Sequence, residues 1–134
     1  MTSSTALLDL GAEHFVSLTT FRRSGERVST PVWIAREGDE LLVTTPEGTG
    51  KLKRLRNNPT VELQPCSRMG KTKDSDPIVS GVATMAPESP PETQIFRDKY
   101  GLEYRIFMAV ERLMNRRAGG SGQKPRVILR ITSQ

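Results

Sequence analysis

Between His14 and Thr45 three β-forming runs follow one another with almost nothing between them: "HFVSLTTFR", "RVSTPVWIAR" and "LLVTT". The breaks are "RSGE" and "EGDE", glycine-bearing turns too short to do anything but fold the chain straight back. A parallel return needs a crossover of a dozen or more residues, so this spacing forces an antiparallel meander. In the second run Val28, Thr30, Val32 and Ile34 share one face, and Pro31 and Trp33 share the other. Pro31 has no N–H to give a ladder, which places this strand at an edge or at a bulge.

The rest of the chain extends the pattern. Thr5–Leu10 reads as a short helix capped by Ser3 or Ser4 and stopped by Gly11. After the third strand, Leu52 and Leu55 give a short helix its buried side, and Asn57-Asn58-Pro59 ends it. "TVELQPC" turns Val61 and Leu63 inward as a fourth strand, and "SRMGKTKDSDP" reads as a polar loop. "IVSGVATMA" is a fifth strand in which Gly81 marks a bulge or a close backbone approach. Ser89, Pro90, Pro91 and Glu92 supply a capping box and an N-terminal proline for a helix that Gly101 stops. A second, amphipathic helix repeats apolar residues at Leu102, Ile106, Phe107, Val110, Leu113 and Met114. "GGSGQ" is a flexible connector, and "RVILRIT" is a sixth strand. The expectation is one domain spanning residues 1–134: mainly β, a six-stranded antiparallel small barrel with a helical insert at about 89–118.

Several chemistries are excluded by what the chain lacks. One cysteine, Cys66, rules out an intrachain disulfide and any multi-cysteine zinc site. The one histidine, His14, sits at a strand mouth with no nucleophile elbow anywhere, so nucleophilic hydrolysis is disfavoured. If the chain is an enzyme, a bound cofactor is expected to bring the chemistry. No apolar run nears the roughly 20 residues of a bilayer span, and "MTSSTALLDLGAEHF" lacks the basic start of a signal peptide. The expected location is the cytoplasm, without a membrane partner.

The net charge of +5 and pI near 9.8 point to an anionic partner. From Lys51 to Lys73 seven basic residues face only Glu62. Within this run "TTPEGTGKLKR" passes from strand to helix through Gly48 and Gly50. It is not a nucleotide-triphosphate loop: Thr45 stands where the first glycine belongs, and Leu52 where the Ser/Thr belongs. A helix starting near Gly50 still presents its positive end there, with Thr44, Thr45 and Thr49 as hydroxyl donors and Lys51 as a full charge. Arg54 shares the helical side of Lys51; Lys53 and Arg56 point elsewhere. Two readings stand on spacing alone: a phosphate turn, or an ordinary capped helix in a basic chain. No aromatic residue lies among these cations, which argues against nucleic acid.

In order along the chain, "FVSLTTFRRSGERVSTPVWI", "LLVTTPEGTGKLKRLRNNPTVEL", "SGVATM" and "RVILRI" resemble the pyridoxamine 5′-phosphate oxidase-like split-barrel flavoproteins. More closely, they resemble the branch that uses the deazaflavin coenzyme F420. The resemblance implies an FMN-binding-like split barrel that pairs into a homodimer, with two cofactor grooves at the subunit interface. It implies that Lys51 is the phosphate-binding lysine, that Thr45 and Thr49 lie in the phosphate turn, and that Pro31, Val32 and Trp33 back the ring. Trp33 reads equally as core or dimer packing. Tyr100 and Tyr104, in the helical insert, read as packing. The polyanionic tail of F420 asks for more positive surface than the single phosphate of flavin mononucleotide (FMN), and the basic run offers it. The implied activity is F420-dependent hydride transfer to a small organic substrate. FMN in the same fold, or a cofactor- or tetrapyrrole-binding carrier without turnover, are the alternatives.

Overall fold

The computed structural model describes residues 4–119 and 125–134. Its strands are β1 (Val16–Phe21), β2 (Arg27–Val32), β3 (Ala35–Glu37), β4 (Glu40–Pro46), β5 (Thr60–Pro65), β6 (Val79–Pro87) and β7 (Arg126–Thr132). The helices are α1 (Thr5–Asp9), α2 (Gly50–Asn57), α3 (Pro90–Tyr100) and α4 (Leu102–Arg117). The strands form one antiparallel sheet in the order β2-β1-β5-β6-β7-β4-β3.

Six strands were expected and seven are found among the described residues, because the run from Arg27 to Arg36 is two strands at opposite edges of the sheet. Val32 ends β2 and Ala35 begins β3. Three residue steps reach at most about 11 Å, so the sheet must curl until its two margins nearly meet. Among the described residues no ladder closes the curl; Trp33 and Ile34 bridge it covalently. Both are buried, Ile34 inside the curl with Val32 and Leu41, Trp33 outside it with Leu42 and Phe96.

The backbone of Ile34 is satisfied from another element. Its N–H donates to the Tyr100 hydroxyl at 2.8 Å, and that hydroxyl shares its proton between the carbonyls of His14 at 2.9 Å and Ile34 at 3.0 Å. Lys99 Nζ donates to the carbonyls of Gly11 at 2.8 Å, Glu13 at 2.6 Å and also Ile34. The Tyr100 ring stacks on Trp33 with centroids 4.5 Å apart. Burial pushes the Tyr100 hydroxyl up to about 12.

The core forms two layers. Inside the curl, Val16, Leu18, Leu41, Val43, Leu52, Val61, Leu63 and Leu129 pack together with Leu7 from α1. At Gly81 a Cβ would come within 2.9 Å of both the Ile131 side chain and the Thr132 carbonyl, so the fifth strand of the sequence does hold a close approach. Outside the curl, α3 and α4 cover β7, β4 and β3 through Phe96, Tyr100, Tyr104, Met108 and Ile128. Ser4 caps α1, its side chain accepting from Leu7 N–H at 3.2 Å. The Glu92 carboxylate accepts from Ser89 N–H at 2.9 Å at the start of α3, and Arg130 holds its other oxygen at 2.7 Å.

In α4 the buried residues are Tyr104 and Met108, and the apolar repeat read from the sequence lies largely outward, with Phe107 at its margin keeping one contact, its ring 4.9 Å from that of Trp33. Leu102, Ile106, Phe107, Val110, Leu113 and Met114 are each between 45% and 69% exposed. The expected "GGSGQ" connector lies, beyond Gly119, outside the described residues. No helix among the described residues is long and apolar enough to cross a membrane.

Candidate functional site

β4 ends at Pro46, and the chain turns through Gly48, whose φ of 83° is the left-handed region that favours glycine. Thr49 is then the N-cap of α2. Leu52 and Leu55 anchor this helix in the core, which fixes where its cations go. Lys51 and Arg54 are half-buried on one flank, while Lys53 and Arg56 are exposed, as the spacing predicted. Arg54 Nε donates to Thr20 Oγ1 at 2.6 Å. Its guanidinium also lies against the first turn, so a Cβ on Gly50 would come within 2.9 Å of it. β7 pairs with β4 so that Arg126 stands opposite Pro46, bringing a third cation to the corner.

The corner is electrostatically unbalanced. Burial holds the Lys51 ammonium below its ordinary range, and the like charges of Arg54 and Arg126 add to the effect. Among the described residues no carboxylate lies within salt-bridge distance of Lys51 or Arg54. The hydroxyls of Thr45 and Thr49 are buried there without a hydrogen-bond partner. Crowded cations, idle hydroxyls and a helix N-terminus are what an oxyanion with several acceptor oxygens would relieve.

Arg126 joins this corner to a groove of about 800 Å³ along α3 and α4. Its guanidinium pairs with Glu111 at 3.0 Å and donates to Thr44 Oγ1 at 2.9 Å, and Thr44 in turn donates to Glu88. The groove wall carries Arg97, Arg105 and Arg112 beside Tyr104 and Met108. Four arginines against Glu88 leave the groove positive.

Thr45, Thr49, Gly50, Lys51 and Arg54 thus gather at one place, with Thr44 on the outer face of the same strand. Pro31, Val32 and Trp33 do not join them within one chain. Pro31 is exposed on β2, Val32 lies inside the curl, and Trp33 stacks under Tyr100 and Tyr104. The basic run also divides. Arg54 meets β1 at Thr20, whereas the loop carrying Arg68, Lys71 and Lys73 passes Pro31, which pairs with Ser17. Arg68 there pairs with Glu103 at 3.5 Å. Arg126 and the groove arginines escaped the sequence reading. A signal existed for two of them, since Arg105 and Arg112 recur at heptad spacing on one helical side.

No protein-family model matches the sequence, and no curated protein matches it. Solved structures do match. An F420 reductase is 20% identical, with a TM-score of 0.54, over 100% of this chain and 96% of its own. A heme storage protein from Vibrio cholerae is 14% identical, with a TM-score of 0.59, over 100% and 92%. A pyridoxamine 5′-phosphate oxidase-related, FMN-binding protein from Nostoc punctiforme is 10% identical, with a TM-score of 0.55, over 90% and 70%. The likeness is one of fold, and the fold is that of the pyridoxamine 5′-phosphate oxidase-like, FMN-binding split-barrel proteins.

Proposed function

We propose that this chain is an F420-dependent oxidoreductase, acting as a homodimer on a small organic substrate. The observation that carries the reading is Lys51: half-buried beside two other cations, with no carboxylate in salt-bridge distance among the described residues, next to the idle hydroxyls of Thr45 and Thr49. One phosphate would balance that corner. The arginine groove reached through Arg126 then has charge to spare, which suits a coenzyme tail carrying a phosphodiester and several glutamate carboxylates. The F420 reductase among the structural neighbours supports the choice, and those that bind flavin or store heme mark the alternatives.

When bound, the deazaflavin supplies two-electron hydride chemistry. The protein's own work is orientation and charge: Lys51, Arg54, Thr45 and Thr49 hold the phosphate, and the groove arginines steer the tail. Tyr100 is spoken for by the Ile34 backbone and stays protonated well past neutrality, so it packs and does not deliver a proton.

A fluorescence titration with F420 and with FMN tests this. F420 is expected to bind the tighter of the two, with an affinity that falls as salt rises. Lys51→Ala should weaken it by about 1.5–3 kcal/mol, the scale of a charge-assisted hydrogen bond. Binding of FMN alone would move the coenzyme assignment to flavin, and binding of F420 with no turnover of its reduced form would make the protein a carrier. Failure to bind either ends the proposal.

A further inference from the structure

Five of the six exposed apolar side chains of α4, all but Leu102, have an order that reads alike from both ends. Taking Val110 as the centre, Phe107 and Leu113 lie three residues away on either side, and Ile106 and Met114 lie four away. Seven residues away stand Glu103 on one side and Arg117 on the other. Offsets of three, four and seven are the same-face spacings of a helix. At about 100° per residue, the apolar six fall within an arc of about 140°, turned away from Tyr104 and Met108, which hold α4 to the sheet.

We infer that this face is a two-fold interface, in which α4 packs antiparallel against α4 of a second copy with Val110 on the axis. An isologous contact requires that residue i meet residue j while j meets i. Here the pairs are Ile106 with Met114, Phe107 with Leu113, Glu103 with Arg117, and Val110 with itself. The sign of the outer pair is right for antiparallel helices and wrong for parallel ones, which would set Glu103 on Glu103. Glu103 already pairs with His14 at 2.8 Å and with Arg68 at 3.5 Å and is partly exposed, so Arg117 joins at the rim.

The area is sufficient. Six large side chains about half exposed leave on the order of 600 Å² of apolar surface, at the upper limit for a monomer's largest patch. With their flanks they approach the roughly 800 Å² per partner of a standard interface. Leu102 belongs both to this face and to the wall of the arginine groove, so the partner's α4 stands at the groove's mouth. The inference names the surface for the dimer proposed above and does not depend on which coenzyme is bound.

Cysteine cross-linking in a Cys66→Ser background tests it. Helix axes about 8–10 Å apart, less two Cα radii of about 2.3 Å, bring residues on the axis within disulfide range. Val110→Cys should therefore oxidise to a covalent dimer. Ile106→Cys alone should not, because its two copies are eight residues, about 12 Å, apart along the axis. Mixed with Met114→Cys, it should. By light scattering the unmodified protein should be a dimer and Val110→Glu a folded monomer.

A monomeric unmodified protein overturns the inference. So does a dimer that Val110→Glu leaves intact, because the copies then meet elsewhere, such as the outer face of β2, β1 and β5. A monomer that binds phosphatidylserine vesicles through Val110 also overturns it, in favour of a lipid surface. The F420 titration, repeated on Val110→Glu, separates failure of this interface from failure of the coenzyme reading.

Discussion

Replacing Tyr100 with phenylalanine removes one oxygen and leaves the ring in place between Trp33 and Phe96, so the cost falls on hydrogen bonding alone. Three backbone groups lose a partner, unequally. Ile34 N–H is the severe case: the residue is 0% exposed, and among the described residues that N–H donates to Tyr100. A buried donor left unsatisfied costs about 1–3 kcal/mol. The carbonyl of Ile34 keeps Lys99, and that of exposed His14 is open to water, so together they add about 0.5 kcal/mol. The expected loss is about 2–3 kcal/mol, or about 10 °C in Tm for a chain of this size. Urea unfolding is the assay, and the midpoint should fall at an unchanged slope, because the surface exposed on unfolding is the same. A loss below about 0.5 kcal/mol would mean that something other than Tyr100 satisfies Ile34, and the account of the sheet's bridged margin would be wrong.

Three more outcomes can be checked alongside it. Thr45→Val deletes a buried hydroxyl without a partner, so the free protein should gain about 1 kcal/mol in urea unfolding while coenzyme affinity drops; destabilisation would reveal a partner for that oxygen. Lys51→Ala should leave the free protein at least as stable at neutral pH, because a lysine whose pKa falls on folding penalises the fold in full below the lowered value and ceases to do so only above the ordinary 10.5. Inorganic phosphate should then raise Tm in the unmodified protein and barely in the variant. Because folding raises the Tyr100 pKa from 10.0 to about 12, its stabilisation is full below the first value and lost as pH climbs through the second. The stability gap between wild type and Tyr100→Phe should therefore narrow across that window, and a gap that widened would contradict the burial.

What the sequence showed and what it hid divide by range. The meander, the Leu52–Leu55 helix, the inward Val61 and Leu63, and the Ser89–Glu92 cap all rest on residues within a few positions of one another, and local periodicity reveals them. The break between β2 and β3 does not interrupt the two-residue alternation, since Trp33 and Ile34 are both apolar. Its cause is Tyr100, 66 residues on from Ile34. The basic corner was legible up to Arg54, but its third cation arrives by the pairing of β7 with β4, a register that no short window contains. In α4 the period announced a helix. Which apolar side packs on the sheet was decided by Trp33 and Ile128 beneath it, which take Tyr104 and Met108, touch Phe107 at its edge and leave the rest of the longer stripe outside.

A hoop riveted all the way round resists widening at every rivet, but this one is an overlapping cuff. Its girth is set where Trp33 and Ile34 pass from one margin to the other, by a phenol and an ammonium gripping two peptide groups. Any stretching of the cuff by an occupant must first flex that clasp, so a change in the chain's diameter would register earliest in the Trp33 fluorescence.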